Sequence, residues 1–228
     1  MASLVAILVL GFVLGMRHAT DPDHIVAVTT IVSRQRSVRA AGLVGAMWGL
    51  GHTVTILLVG GAIILFRVVI PPRLGLGMEL AVAVMLVVLG AMNLAGAAKR
   101  IEAVAHRHDS ERKPIVHATQ LARSLFVGVV HGLAGSAAVS LLVLTTIHDP
   151  RWALLYLLVF GAGTILGMAL VTTMIALPFA VAADRFARAN RCMVLATSLA
   201  SIGLGLFLAY RIGIVGGLFS ATPHWTPG

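Results

Sequence analysis

Five ionisable side chains and a helix breaker crowd the run Arg17-His18-Ala19-Thr20-Asp21-Pro22-Asp23-His24-Ile25, inside the first apolar stretch of the chain. Imidazoles and carboxylates at this density form a donor set for a divalent transition-metal ion. A charged group at bilayer depth costs about 2.5–3.5 kcal/mol on insertion scales, so a cluster of them marks a functional site. On a helix, His18, Asp21 and His24 fall at i, i+3 and i+6 and share one broad face. Pro22 lacks an N–H and clashes with the preceding turn, so the helix is expected to kink or unwind there and free the His18 carbonyl as a further oxygen ligand. The same distortion turns Asp23 either toward the ion or into a bond with a ligand imidazole. Arg17 either neutralises Asp21 or Asp23 or reaches for the outer surface. A helix pinned by salt bridges is the bland alternative for the whole cluster.

Two more histidines join the candidates. His52 lies in Gly49-Leu50-Gly51-His52-Thr53, where glycines permit a close approach to the first helix; its alternative is a lone histidine bonded to a neighbouring helix. His131 heads His131-Gly132-Leu133-Ala134-Gly135-Ser136 with no carboxylate beside it, and is a ligand, a proton carrier or a structural donor. Mixed imidazole and carboxylate donors suit nickel, cobalt, zinc, iron and manganese, whereas copper(I) would want thiolates. Magnesium and calcium would want mostly oxygen. The single cysteine, Cys192, excludes an intrachain disulfide and reads as packing.

The elements that must position these residues are membrane helices. The 228 residues are 59% hydrophobic and 11% charged, with a mean hydropathy of +0.99, too apolar for a soluble domain of this size. Spanning the bilayer takes roughly 20 apolar residues, and six stretches qualify, near 3–32, 41–68, 78–98, 122–147, 152–181 and 193–216. The first lacks a basic leader and a cleavage site, so it is expected to stay in the mature protein. The fold class is therefore an all-α integral membrane protein, one polytopic domain over 1–228. The net charge of +9 does not imply nucleic acid, because the basic residues occupy connectors between spans. One alternate set of connectors holds twelve Lys and Arg, including Arg34, Lys99 and Arg185, and the other only Arg67, Arg73, Arg151 and Arg211. The positive-inside rule places both termini outside the cytoplasm and the 99–121 loop inside, in the cell's inner membrane. His106, His108, Asp109 and His117 in that loop either hand metal to a cytosolic acceptor or are incidental to a solvated loop.

Self-comparison shows a weak repeat. Gly15-Met16-Arg17-His18-Ala19 aligns with Gly128-Val129-Val130-His131-Gly132, and Gly49-Leu50-Gly51 with Gly161-Ala162-Gly163, at offsets of 113 and 112. Six helices become two three-helix repeats, about 1–98 and 122–216, and an odd number of spans in each inverts one against the other. Such folds place the site near the midplane, at paired interruptions, here Pro22 in the first half and Gly132, Gly135 and Ser136 in the second. Gly45/Gly49, Gly128/Gly132 and Gly163/Gly167 have helix-contact spacing and read as tight packing.

The run from Arg17 to Ile25 resembles the His-x4-Asp-His signature of the nickel/cobalt transporter family, and Leu50-Gly51-His52-Thr53 resembles that family's second motif. The resemblance implies permeation of a transition metal with His18, Asp21, Asp23, His24 and His52 at the ion. It is strongest to the short six-helix nickel permeases associated with urease accessory genes, since larger members have eight helices and an acidic motif in the second half. The expected function is uptake of Ni2+ or Co2+ by secondary transport, the metal being substrate and no cofactor being needed. No phosphate-binding loop is present to hydrolyse nucleotide. Metal export is the alternative. An intramembrane enzyme is opposed by the lack of a His-Glu-x-x-His pair and of a membrane-embedded histidine after Ser136.

Overall fold

The computed structural model describes residues 2–33, 35, 37–66, 70–104, 118–147, 149–185, 187–220 and 223–225. Among the described residues the regular structure is helical: α1 (Ala2–His18), α2 (Pro22–Val32), α3 (Val38–Thr55), a π turn (Ile56–Gly60), α4 (Gly61–Phe66), α5 (Pro72–Val104), α6 (Ala118–Thr146), α7 (Pro150–Arg185), α8 (Ala187–Tyr210) and a second π turn (Arg211–Val215). Four of these segments are long and apolar enough to cross a membrane: Val38–Phe66, Pro72–Gly96, Pro150–Val181 and Arg188–Val215. α1 and α2 make a fifth if counted as one broken span, bent by 54°. The histidine-bearing 99–121 loop lies largely outside the described residues, including His106, His108, Asp109 and His117.

The break between α1 and α2 follows from Pro22. A proline disfavours the α conformation of the residue before it, and Asp21 is extended, with φ −62° and ψ 145°. Pro22 then opens α2 at the first position, where a missing N–H costs nothing. The expected break at Pro22 is present as an unwinding, so His18, Asp21 and His24 do not share one helix face: His18 ends one helix, Asp21 stands at the N-cap position of the next and His24 lies in its first turn. The His18 carbonyl is not free either, because the Asp21 N–H donates to it at 3.1 Å.

The second half lacks such a break. α6 runs through Gly132, Gly135 and Ser136 without interruption, so the expected paired interruption is found only in the first half. Glycine permits a bend but does not force one as proline does. Gly132 serves close packing instead, since a Cβ there would meet the His52 carbonyl and the Thr55 side chain.

α3 is the central helix, its most apolar window 56% buried against 22% for α8. The small residues predicted to pack do so, in reciprocal pairs. A Cβ on Gly51 of α3 would strike Leu125 and Val129 of α6, and one on Gly163 of α7 would strike Phe12 and Met16 of α1. Gly15 meets Phe160 and Thr164, as Gly128 meets Trp48. Gly90 of α5 abuts Ser198 and Ile202 of α8, and Gly205 of α8 abuts Ala83 and Val87 of α5. Hydroxyls reinforce the same seams: Thr53 donates to the Gly161 carbonyl at 3.1 Å and Thr55 to the Val129 carbonyl at 3.0 Å, fixing α3 on both sides of His52.

Candidate metal centre

The chain break delivers His18 and His24 to α3 from two directions. The Nε2 atoms of His18 and His52 lie 3.0 Å apart. Ligand nitrogens of His18, His24 and His52 all fall within 4.8 Å of one another, and Asp23, His24 and His131 form a second such group. His24 therefore belongs to both. The ring centroids of His24 lie 4.6 Å from His18, 5.2 Å from His52 and 4.0 Å from His131. His24, His52 and His131 are at most 2% exposed.

Two carboxylates set the tautomers. Nδ1 of His18 donates to Asp21 at 2.7 Å, leaving Nε2 with its lone pair turned to His52. Nδ1 of His24 donates to Oδ1 of Asp23 at 3.1 Å, and Nε2 of His131 donates to Oδ2 of the same carboxylate at 2.9 Å. Carboxylate–histidine pairs of this kind orient metal-ligating imidazoles and raise their basicity. Their consequence is visible in the hydrogen bonding: His24 Nε2, His52 Nδ1 and His131 Nδ1 are buried without a partner. Buried polar atoms are nearly always satisfied, and each exception asks for a reason. An ion taking the lone pair of His24 Nε2 supplies one for that atom. Metal–imidazole bonds of about 2.0–2.1 Å, the zinc values, place two nitrogens at right angles about 2.9 Å apart, which matches the His18–His52 spacing.

Of the residues singled out in the sequence, His18, His24, His52, Asp23 and His131 are brought together. Asp21 stands outside both groups, its side chain 46% exposed and bound to His18. Arg17 is exposed, and histidines hold the two carboxylates it was a candidate to neutralise. Trp48 escaped notice. Its ring stacks on His24 at 5.9 Å and meets His131 edge-on at 5.6 Å. The signal was its position one turn before His52 on α3, which puts both on one face. Phe160 approaches His18 at 5.7 Å in the corresponding place of the other half.

A cavity of about 770 Å³ borders the cluster, lined by His18, Asp21, Asp23, His24 and His131. Glu79, Arg211 and His224 also line it. Trp225 donates to Glu79 at 2.8 Å and so fastens the 223–225 segment across α5. Imidazoles buried beside a wide cavity that is also lined by carboxylates can take an ion from water and hold it.

The chain is 39% identical over 219 residues to a urease accessory protein, UreH, of Bacillus sp. (strain TB-90), the match covering 95% of this chain and 96% of that one. The chain belongs to the UreH-like nickel/cobalt transporter family. Two chloroplast proteins of Arabidopsis thaliana, FOR GROWTH AND FERTILITY 2 and 1, are 28% and 29% identical to this UreH-like chain over 86% of its length. It spans only 54% and 56% of theirs. No protein-family model and no solved structure matches it.

Proposed function

We propose that this chain carries Ni2+, and Co2+ with it, into the cell across the cytoplasmic membrane by secondary transport, with the ion bound by His18, His24 and His52. The observation that carries the reading is three imidazoles with ligand nitrogens within 4.8 Å, His24 and His52 fully buried and His18 and His24 opening onto a wide cavity. Asp21 and Asp23 orient the ligands and offset the charge of the ion, and His131 closes the far side through Asp23. Nitrogen donors without a thiolate favour nickel and cobalt over calcium, magnesium or copper(I). Membership of a nickel/cobalt transporter family supports the same cargo.

The reciprocal glycine contacts support the inverted repeat. Gly51 against Leu125 and Val129 corresponds to Gly163 against Phe12 and Met16 when residues are shifted by 112 or 113. A two-fold axis relating 1–98 to 122–216 produces that pairing, and six spans with an axis in the membrane plane allow the halves to rock about a midplane site. The charge bias of the connectors supports both termini outside and the 99–121 loop inside, where a cytosolic nickel acceptor would meet it. On this orientation the wide cavity faces outward. A divalent ion entering a negative-inside cell gains about 2.3 kcal/mol per charge per 100 mV, which favours import through an outward-facing cavity.

Accumulation of radiolabelled nickel in cells expressing the wild type and His18→Ala, with cobalt, zinc and manganese as competitors, tests the reading. Accumulation that disappears in the variant and yields to cobalt but not manganese is expected. Lower nickel in wild-type cells than in empty cells would make the protein an exporter. Equal accumulation in both would remove His18 from the pathway.

A further inference from the structure

A second, smaller cavity of about 130 Å³ lies among α2, α5 and α6, lined by Thr30, Leu89, Asn93, Gln120, Arg123 and Ser124. Three helices place it on the opposite side of the histidines from the wide cavity. On α2 the wide cavity touches Asp23 and His24 and the small one Thr30; on α5 they touch Glu79 and Val82, then Leu89 and Asn93; on α6, which runs the other way, His131 and Ala134, then Ser124 and Gln120. At about 1.5 Å per residue, the seven residues from Val82 to Leu89 make a layer about 10 Å thick.

That layer is apolar. Val28, Leu86, Leu89, Val127 and Trp48 belong to one buried cluster, at most 4% exposed. It reaches from the site, where Trp48 stacks on His24, to the small cavity, which Leu89 lines. Beyond it the chemistry turns polar again. Asn93 donates to Ser33 Oγ at 2.9 Å and to Ser198 Oγ at 3.0 Å, joining α2, α5 and α8 around the cavity wall. Such a room holds about four waters at roughly 30 Å³ each. Polar space inside a membrane bundle has no use for lipid.

We propose that this cavity is the release vestibule for the transported metal ion, closed from the histidines by the Val28–Leu86–Leu89–Val127 layer. The inference rests on the transport reading above. Among the described residues its polar lining is hydroxyls, amides, one guanidinium and the Met92 thioether, with no imidazole or carboxylate. A pathway must bind tightly enough to admit an ion and weakly enough to let it leave, and the two cavities divide those tasks. Neutral oxygens help to rehydrate the ion but do not rival three imidazoles. The exposed Arg123 in the lining repels a cation and so keeps the ion from lingering in this cavity.

Cysteine accessibility tests the proposal. The chain's single cysteine, the exposed Cys192, is replaced in a Cys192→Ser parent, and Ser124→Cys or, should that variant fail to fold, Gln120→Cys is introduced. A charged, membrane-impermeant thiosulfonate is applied to inside-out and right-side-out vesicles, with and without Ni2+. Labelling only in inside-out vesicles, accelerated severalfold by Ni2+ and not accelerated when His24→Ala is added, is expected. Labelling from the outer face, or labelling indifferent to Ni2+, would overturn the inference. Nickel accumulation by the same cysteine variant separates the two failures: if it persists while labelling ignores the ion, only the vestibule falls, and if wild-type cells take up no nickel, the transport reading falls first.

Discussion

Gly51 lets α3 approach Leu125 and Val129 of α6, and Gly163 lets α7 approach Phe12 and Met16 of α1, so the two halves of the molecule pack through equivalent contacts. Their chemistry diverges at the same depth. His52 joins the metal cluster from α3, whereas Thr164, its counterpart on α7, turns its hydroxyl back onto the Phe160 carbonyl at 3.0 Å. His18 and His131 correspond, as do the rings against them, Phe160 and Trp48. Yet Asp21, Asp23 and His24 face Ala134, Ser136 and Ala137 in the alignment. Equivalent seams of small residues thus flank a cluster whose members, His131 apart, all precede residue 98. Packing needs both halves to keep the same small residues, while coordination needs only one donor set.

Breaking the first half's donors should have the largest effect. His24→Ala removes the one residue common to both groups of ligand atoms, and nickel accumulation is expected to fall to the level of cells without the protein. Thr164→Ala, at the counterpart of His52, is expected to leave accumulation near wild type, whereas His52→Ala abolishes it. Equal losses in those two variants would contradict the asymmetry. Next comes Asp23→Asn, which keeps the shape but weakens the hold on His24 and His131. Losing a carboxylate behind ligand imidazoles typically costs 10–100-fold in metal affinity, so a rise of about that size in the nickel dissociation constant, read by calorimetry on purified protein, is expected.

Acidification sharpens the same point. An imidazole binds metal only when neutral, so protons compete with the ion. Apparent nickel affinity should therefore fall as the medium is made more acidic, and a flat profile would argue against imidazole ligation. The smallest and most symmetric effect belongs to packing. Gly51→Ala and Gly163→Ala each force a methyl into a backbone contact, and overpacking of this kind costs about 1–3 kcal/mol. Similar drops in thermal stability in detergent are expected for both, and a large difference between them would break the equivalence of the two seams.

Much of the site was legible because imidazoles and carboxylates are conspicuous in an apolar chain. His18, Asp21, Asp23, His24, His52 and His131 were singled out by residue type, the structure gathers all but Asp21 into two groups, and Pro22 announced a break. Of the two forms that break could take, a kink or an unwinding, the structure has the second, because Pro22 drives Asp21 into an extended conformation and starts a new helix. Glycines in α6 suggested an interruption that is absent, since glycine merely tolerates what proline compels. Trp48 went unremarked because nothing local to it signals a histidine from another helix lying on its face.

Composition and motif by themselves determined that this is a helical membrane protein with a transition-metal donor set in its first half. Those properties depend on residue type and short spacing, which the chain carries within about 40 residues of His18. Only the tertiary structure decided which donors meet, that Asp23 is shared by His24 and His131, and that one wide and one small cavity lie on either side of an apolar layer. Each of these rests on the close approach of helices far apart in the chain, and that approach is set by the seams of small residues along them.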